Sequence, residues 1–281
     1  MEQKYRISTH TATCNINTKV KLSLIFENLD LSNRIIYIEH GKDIKGINPK
    51  QLSVKKQNKK KVFYNQITIV VQPEIGFKNN IKLFNNGSIS MTGLKKIEHG
   101  RVSVGILLDK IKSLYDTCKI VNYNIELINS DFRIDYEIKR NELHKLLINK
   151  YKIFSSYEPC IYPGVNSKFY WNKLYTNKEY LGRCYCSDAC SGKGKGNGNG
   201  DCKVITIAAF QSGSIIITGA NNIEQIDIAY NFITKLFRDH KDLLKQIDAP
   251  FLNDSKIVKN NVKAEVITYI KKDSIINGND N

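Results

Sequence analysis

Acidic residues are in short supply. The sequence sets 27 Asp and Glu against 43 Lys and Arg, a formal charge of +16 at pH 7. Such an excess favours an anionic partner, either nucleic acid or an acidic membrane. Long hydrophobic runs are also missing. Stretches such as Val204–Phe210 end after a few residues, so no membrane-spanning helix is expected. The opening MEQKYRISTH lacks the charged-then-apolar layout of a secretion signal, which leads to an expected intracellular home. In that compartment the seven cysteines read as thiols or metal ligands rather than disulfides. Histidines number only five, and with the scattered acids they form no catalytic constellation, so no enzyme is expected.

What the sequence does contain is a repeat. Residues 81–94 read IKLFNNGSISMTGL and residues 207–220 read IAAFQSGSIIITGA, so F-x-x-G-S-I-x-x-T-G is spelled twice. Phe84 to Phe210 is a step of 126, and Gly87 to Gly213, Thr92 to Thr218 and Gly93 to Gly219 keep that step. Internal repetition of this kind decides the fold class. In each copy two β-branched runs flank a glycine-bearing turn, the pattern of a hairpin. Apolar residues at helical spacing follow: Ile226, Ala229, Ile233, Leu236 and Phe237 in the second copy, and Val104, Leu107, Leu108 and Ile111 in the first. Gly100 and Gly105 weaken the front of the first of these helices. An α+β chain follows, with hairpin then helix in each half. Ala208 and Phe210 share one sheet face and Ile207 and Ala209 the other. If one face packs on the helix, Phe210 and Ile216 are left on the second, either in a buried sheet or an oligomer interface, or against some other partner.

Residues 154–164 read FSSYEPCIYPG. Together with ITIAAFQSGSIIITGA they resemble the second repeat of the TATA-box-binding protein family, whose pattern is FSSYEPELFPG followed by a hairpin ending in SGK-x-x-x-TGA. The likeness spans about residues 5–245 in two tandem copies, strong in the second and diffuse in the first. The divergence, and the abundance of Ile, Asn and Lys, look like the versions carried by large cytoplasmic DNA viruses. The resemblance implies a saddle: two pseudo-symmetric repeats, 1–118 and 119–248, sharing a curved antiparallel sheet with helices on the convex side. Double-stranded, A·T-rich promoter DNA would lie under the concave side, kinked at its minor groove by apolar wedges. The open face is therefore expected to be apolar. A viral source places the protein in the host's cytoplasmic viral factory or the virion, and any other source in the nucleus.

Carried over residue by residue, the wedges fall on Phe84 and Phe210, on Tyr162 where the family has phenylalanine, and on Tyr64, with Phe63 as the alternative. The asparagine of the family's I-Q-N matches Asn122, and its first-repeat counterpart is Tyr5. Thr92 and Thr218 match paired threonines, and Ile216 a groove-facing valine. Ser90, Lys82 and Asn124 replace apolar residues, so the first half looks more polar. The loop that receives the B-type general transcription factor keeps Glu158, with Ile161 for the family's leucine and Cys160 for its second glutamate. Through that factor, or a viral equivalent, the chain would join an RNA polymerase initiation complex. The run Lys55–Lys61 reads as a solvated loop or a contact to flanking phosphate.

Two segments lie outside the family pattern. The tail, 249–281, ends in Asn-Gly-Asn-Asp-Asn and reads as a disordered or added arm. The other is an insert at 176–203. Its alternating glycines are not a phosphate loop, because no G-K-[ST] follows and no strand leads in. Cys184, Cys186, Cys190 and Cys202 give C-x-C-x3-C-x11-C. Zinc closing a glycine-rich loop is the preferred reading, with paired disulfides or free thiols as alternatives. Two other functions remain open: a drifted protein-interaction scaffold, or the non-catalytic half of a DNA-processing enzyme.

Overall fold

Each copy of the decapeptide sits in the same supersecondary unit. The computed structural model describes residues 5–47, 63–174, 181–186, 190 and 192–246. The first half runs β1 (Arg6–Asn15), α1 (Leu22–Asn28), β2 (Ile35–His40), β3 (Asp43–Gly46), β4 (Gln66–Glu74), β5 (Phe77–Phe84), β6 (Ser88–Leu94) and α2 (Glu98–Ile111). The second runs β7 (Val121–Arg133), α3 (Arg140–Asn149), β8 (Phe154–Ser156), β9 (Val165–Trp171), β10 (Lys203–Ala209), β11 (Ser214–Ala220), α4 (Ile223–Asp239) and the short α5 (Lys241–Leu244). All strands join one antiparallel sheet in the order β3-β2-β4-β5-β6-β1-β7-β11-β10-β9-β8. Apart from β3, this order reads the same outward from its centre in both directions. The fold is the α+β saddle, two repeats meeting at β1 and β7.

Strand register locates the pseudo-twofold axis. His10 of β1 lies opposite Ile128 of β7. His10 also lies opposite Leu94 of β6, as Ile128 does opposite Ala220 of β11. The two residues are equivalent, and the axis passes between them.

The repeated glycines have a steric cause. Gly87 and Gly213 turn the two hairpins at φ 82° and 83°, a region that favours glycine. A Cβ at Gly87 would stand 2.1 Å from the Thr18 carbonyl oxygen, and one at Gly213 would stand 2.7 Å from that of Tyr136. Further on, the register slips at Thr92-Gly93 and again at Thr218-Gly219, a bulge at matching places on β6 and β11. The sequence motif thus encodes a turn and a bulge at fixed separation.

Alternation along the strands builds two cores on the helix side. Ile67, Ile69, Ile81, Leu83, Ile89 and Met91 pack with Val104, Leu107 and Ile111 of α2. Val165, Phe169, Ile205, Ile207, Ile215 and Ile217 pack with Ile226, Ala229, Ile233 and Leu236 of α4. The central strands interlock these cores. Tyr5 and Ile7, at the start of β1, pack in the second core, while Tyr123 at the start of β7 packs in the first.

Candidate nucleic-acid interface

With one face committed to the helices, alternation fixes what the other face shows. On β1 and β7 these residues are Thr9, Thr11, Thr13, Asn15, Asn124, Leu127, Asn129, Asp131 and Arg133. On β6 and β11 they are Ser88, Ser90, Thr92, Ser214, Ile216 and Thr218. On β5 and β10 they are Asn80, Lys82, Phe84, Thr206, Ala208 and, just beyond, Phe210. The expected apolar face is therefore corrected: hydroxyls and amides dominate both halves, and Phe84, Leu127, Ala208, Phe210 and Ile216 are apolar points within them. Polar side chains suffice here because the helices, not this face, supply the apolar burial.

Phe84 and Phe210 stand at equivalent places, each at the outer end of a hairpin strand. Phe210 packs edge-on against Tyr162, ring centroids 5.6 Å apart, over buried Gly164. The structure therefore joins the two wedge candidates of the second half into one aromatic pair. In the first half Tyr64 is exposed beside Gly41 and its carbonyl lies 3.3 Å from His40 Nε2; Phe63 is exposed next to it.

Asn122 is not where the motif match expected a central asparagine. It sits at the end of β7 remote from the axis, at φ 52°, next to Val121, which pairs with Asn15. Tyr5 is not on this face at all. Its hydroxyl donates to Asp227 on α4 at 3.0 Å and its ring packs on Tyr230, 5.4 Å away. Burial and then the Asp227 carboxylate push the Tyr5 phenol up to about 12. The asparagine near the axis is Asn129, which pairs with Thr9. Its amide nitrogen donates to the Thr9 hydroxyl at 3.0 Å, and its oxygen accepts from Thr218. Thr92 is exposed on β6, and Ile216 on β11 is 37% exposed. Motif matching missed Asn129 because it followed Ile120-Val121-Asn122. Continued past NYNIEL, the polar–apolar alternation would put Asn129 on the helix side, and the bulge at Glu126 turns it to the open face.

Two carboxylates also lie on this face. Arg6 closes Asp131 in a two-pronged ion pair, 2.9 Å at its shortest. Glu126 is exposed and accepts a hydrogen bond from the Thr13 hydroxyl at 2.7 Å. Arg6, Arg133, Asp131, Ser214 and Ile216 rim an open depression of about 670 Å³ in the second half.

Glu158 caps a turn in which its carbonyl accepts from the amides of Ile161 and Tyr162, at 2.9 and 2.8 Å. The Ile161 side chain is 86% exposed. Lys55–Lys61 and the tail 249–281 lie outside the described residues.

The four cysteines of the insert converge. Their sulfur atoms all lie within 4.8 Å of one another, with Cys184 3.7 Å from Cys190 and 3.8 Å from Cys202. A disulfide needs sulfurs about 2.05 Å apart, and all four are free thiols. A tetrahedron with metal–sulfur bonds of about 2.3 Å has edges of about 3.8 Å. The group can therefore hold a metal. Burial, then the neighbouring thiols, push Cys202 up; at Cys190 burial is outweighed by the Gly194 amide and the neighbouring thiols, so it goes down. Asn172 buttresses the site, its amide near Cys186 Sγ and bonded to the Asn199 carbonyl.

No family model matches the chain. A TATA-box-binding protein-like chain of Acanthamoeba polyphaga mimivirus is 30% identical over 296 aligned positions, covering 96% of this chain and 73% of that one. TATA-box-binding proteins 2 and 1 of Entamoeba histolytica are each 21% identical over 156 positions, 56% of this chain, and span 57% and 52% of the amoebal proteins. Among solved structures, the TBP of Methanococcus jannaschii is 15% identical at a TM-score of 0.48, covering 85% of this chain and 99% of that one. The chain belongs to the TATA-box-binding protein-like family.

Proposed function

We propose that this protein is a general transcription initiation factor that binds A·T-rich promoter DNA through the minor groove and bends it. One observation carries the reading: Phe84 and Phe210 stand at equivalent hairpin ends on either side of a hydroxyl- and amide-lined strip. Rings at the two ends enter base steps, while the strip between them meets sugars and base edges. Unstacking costs a few kcal/mol per step, offset by the surface that bent DNA wraps. Flexible A·T-rich steps lower that cost, giving selectivity with few base contacts. The +16 charge supplies the phosphate attraction.

Within this reading, the turn of Glu158 and exposed Ile161 receives a B-type general transcription factor or its viral equivalent. The four insert thiols hold one structural zinc, which supplies a cross-link and no chemistry. The carboxylate of Glu126 favours a second reading, a scaffold whose polar face binds protein, because it adds negative charge to a face that DNA would cover, whereas Arg6 offsets that of Asp131.

Equilibrium binding to A·T-rich and G·C-rich duplexes over a salt series separates the two. Affinity is expected to fall by about one power of salt per phosphate neutralised, with A·T preferred throughout. Equal binding to both duplexes at every salt would sink the promoter reading.

A further inference from the structure

The two central strands each carry a bulge, and the pseudo-twofold axis relates them. On β1, Ile7 pairs with Ser130 and Thr9 with Asn129, which leaves Ser8 extra; on β7, Leu127 pairs with Thr11 and Ile125 with Ala12, which leaves Glu126 extra. A bulge re-aims the side chain of its extra residue. Ser8 spends its hydroxyl within the sheet, donating to the Asn129 carbonyl at 3.0 Å. Glu126 does not. Its Oε1 accepts from Thr13, and among the described residues no cation pairs with it, whereas Arg6 closes Asp131. Glu126 therefore offers a free, acceptor-only oxygen to whatever covers the face, on one side of the axis only.

The minor groove is selective toward such an oxygen. A·T pairs present only acceptors there, and guanine's exocyclic amino group is the one donor. A carboxylate against adenine or thymine meets like lone pairs, and against guanine it completes a charge-assisted hydrogen bond. Resting on the minor-groove reading above, we propose that Glu126 is a specificity-determining residue that reads the 2-amino group of a single guanine just off the axis. The bound site is then A·T-rich with one preferred G·C pair. Because Ser8 makes no matching demand, that pair also fixes which way the protein sits on the duplex.

The test uses A·T-rich duplexes with one G·C pair moved through every position, and the same set with inosine·C, which deletes only the 2-amino group. Fluorescence anisotropy with the full chain and with E126Q gives the affinities. At one position the wild type is expected to bind G·C about tenfold tighter than inosine·C. E126Q keeps an acceptor oxygen but loses the charge that strengthens the bond, so it should cut that ratio several-fold while still binding the A·T parent. Wild-type binding indifferent to inosine at every position overturns the role of Glu126 and leaves minor-groove binding standing. A uniform gain for E126Q on all duplexes also overturns it, because the carboxylate would then be only a repulsive charge. Failure of the wild type to bind any duplex would overturn the promoter reading and this inference with it.

Discussion

Where the first half joins β4 to β5 through Ile75-Gly76, the second joins β9 to β10 through residues 172–202, closed by four thiols. The helices over the two halves differ in the same sense. α4 starts on Asn222, whose side chain accepts from the Gln225 amide at 3.0 Å, while Gln225 Oε1 accepts from the Asn221 amide at 2.9 Å. α2 starts on Ile97 with no side-chain cap and carries two glycines. Tertiary contacts hold α2 in place: Val104 and Leu107 are wholly buried, and buried Asn79 donates to the His99 carbonyl and the Ser103 hydroxyl. On the open face, the pseudo-twofold axis makes Ser90 the equivalent of Ile216, Lys82 of Ala208, Thr13 of Asp131 and Asn15 of Arg133. The second half is specified by local signals and the first by its packing. One chain path tolerates both, because the turn and bulge glycines are fixed by backbone geometry that either half must satisfy.

The largest expected effect falls on the wedges. Base–aromatic stacking is worth about 1–3 kcal/mol per base, so F84A/F210A should lose on the order of 100-fold in duplex affinity and all bending. The single variants sharpen the comparison between halves. F210A also strips Tyr162 of its ring partner and should cost more than F84A. Fluorescence energy transfer across a doubly labelled duplex reads the bend. A folded double variant that still bends DNA would show that the rings are not wedges.

Zinc comes next, and its effect should be confined to the second half. Trp171 is the sole tryptophan, buried at the end of β9 beside Asn172, which bonds into the insert. Structural zinc in small sites binds with about 10–16 kcal/mol, so its removal should unravel the insert. Elemental analysis is expected to give one zinc per chain, and a strong chelator should shift Trp171 emission to the red. The sheet centre needs no insert, so A·T binding should survive chelation. Zinc well below one per chain in reduced, folded protein, or an unchanged Trp171 spectrum, would remove the metal.

The same contrast explains what could be read in advance. The second half was legible because its hairpin, its capped helix and FSSYEPCIYPG are local codes, each contained in one short stretch of sequence. The insert was legible because four thiols in a glycine-rich loop have few uses. Asn129 and Glu126 were not, since their placement depends on the β1–β7 register and two bulges, which no window of sequence contains. Tyr5 misled for a related reason. An exchange of strand ends between the two cores turns it toward α4, and only tertiary structure reveals that.

The smallest effect belongs to the first half. Glu74 Oε2 accepts from Lys96 Nζ at 2.8 Å and lies 3.1 Å from Nε2 of buried His99. Lys96 first, then His99, holds this carboxyl below its ordinary range. The unfolded carboxyl titrates near about 4.3. A folded value below that makes the contribution to stability fully present above the unfolded pKa, and it is lost as pH falls through the folded one. Solvent screens the exposed carboxylate, so the contribution is slight and should shrink further in high salt. E74Q is expected to melt below the wild type at pH 6, with the two curves converging as acid protonates Glu74. Trp171 emission should not change, since the perturbation sits in the other half. A melting difference that persists undiminished at low pH would mean that Glu74 stabilises through packing, and that the first half gains nothing from this ion pair.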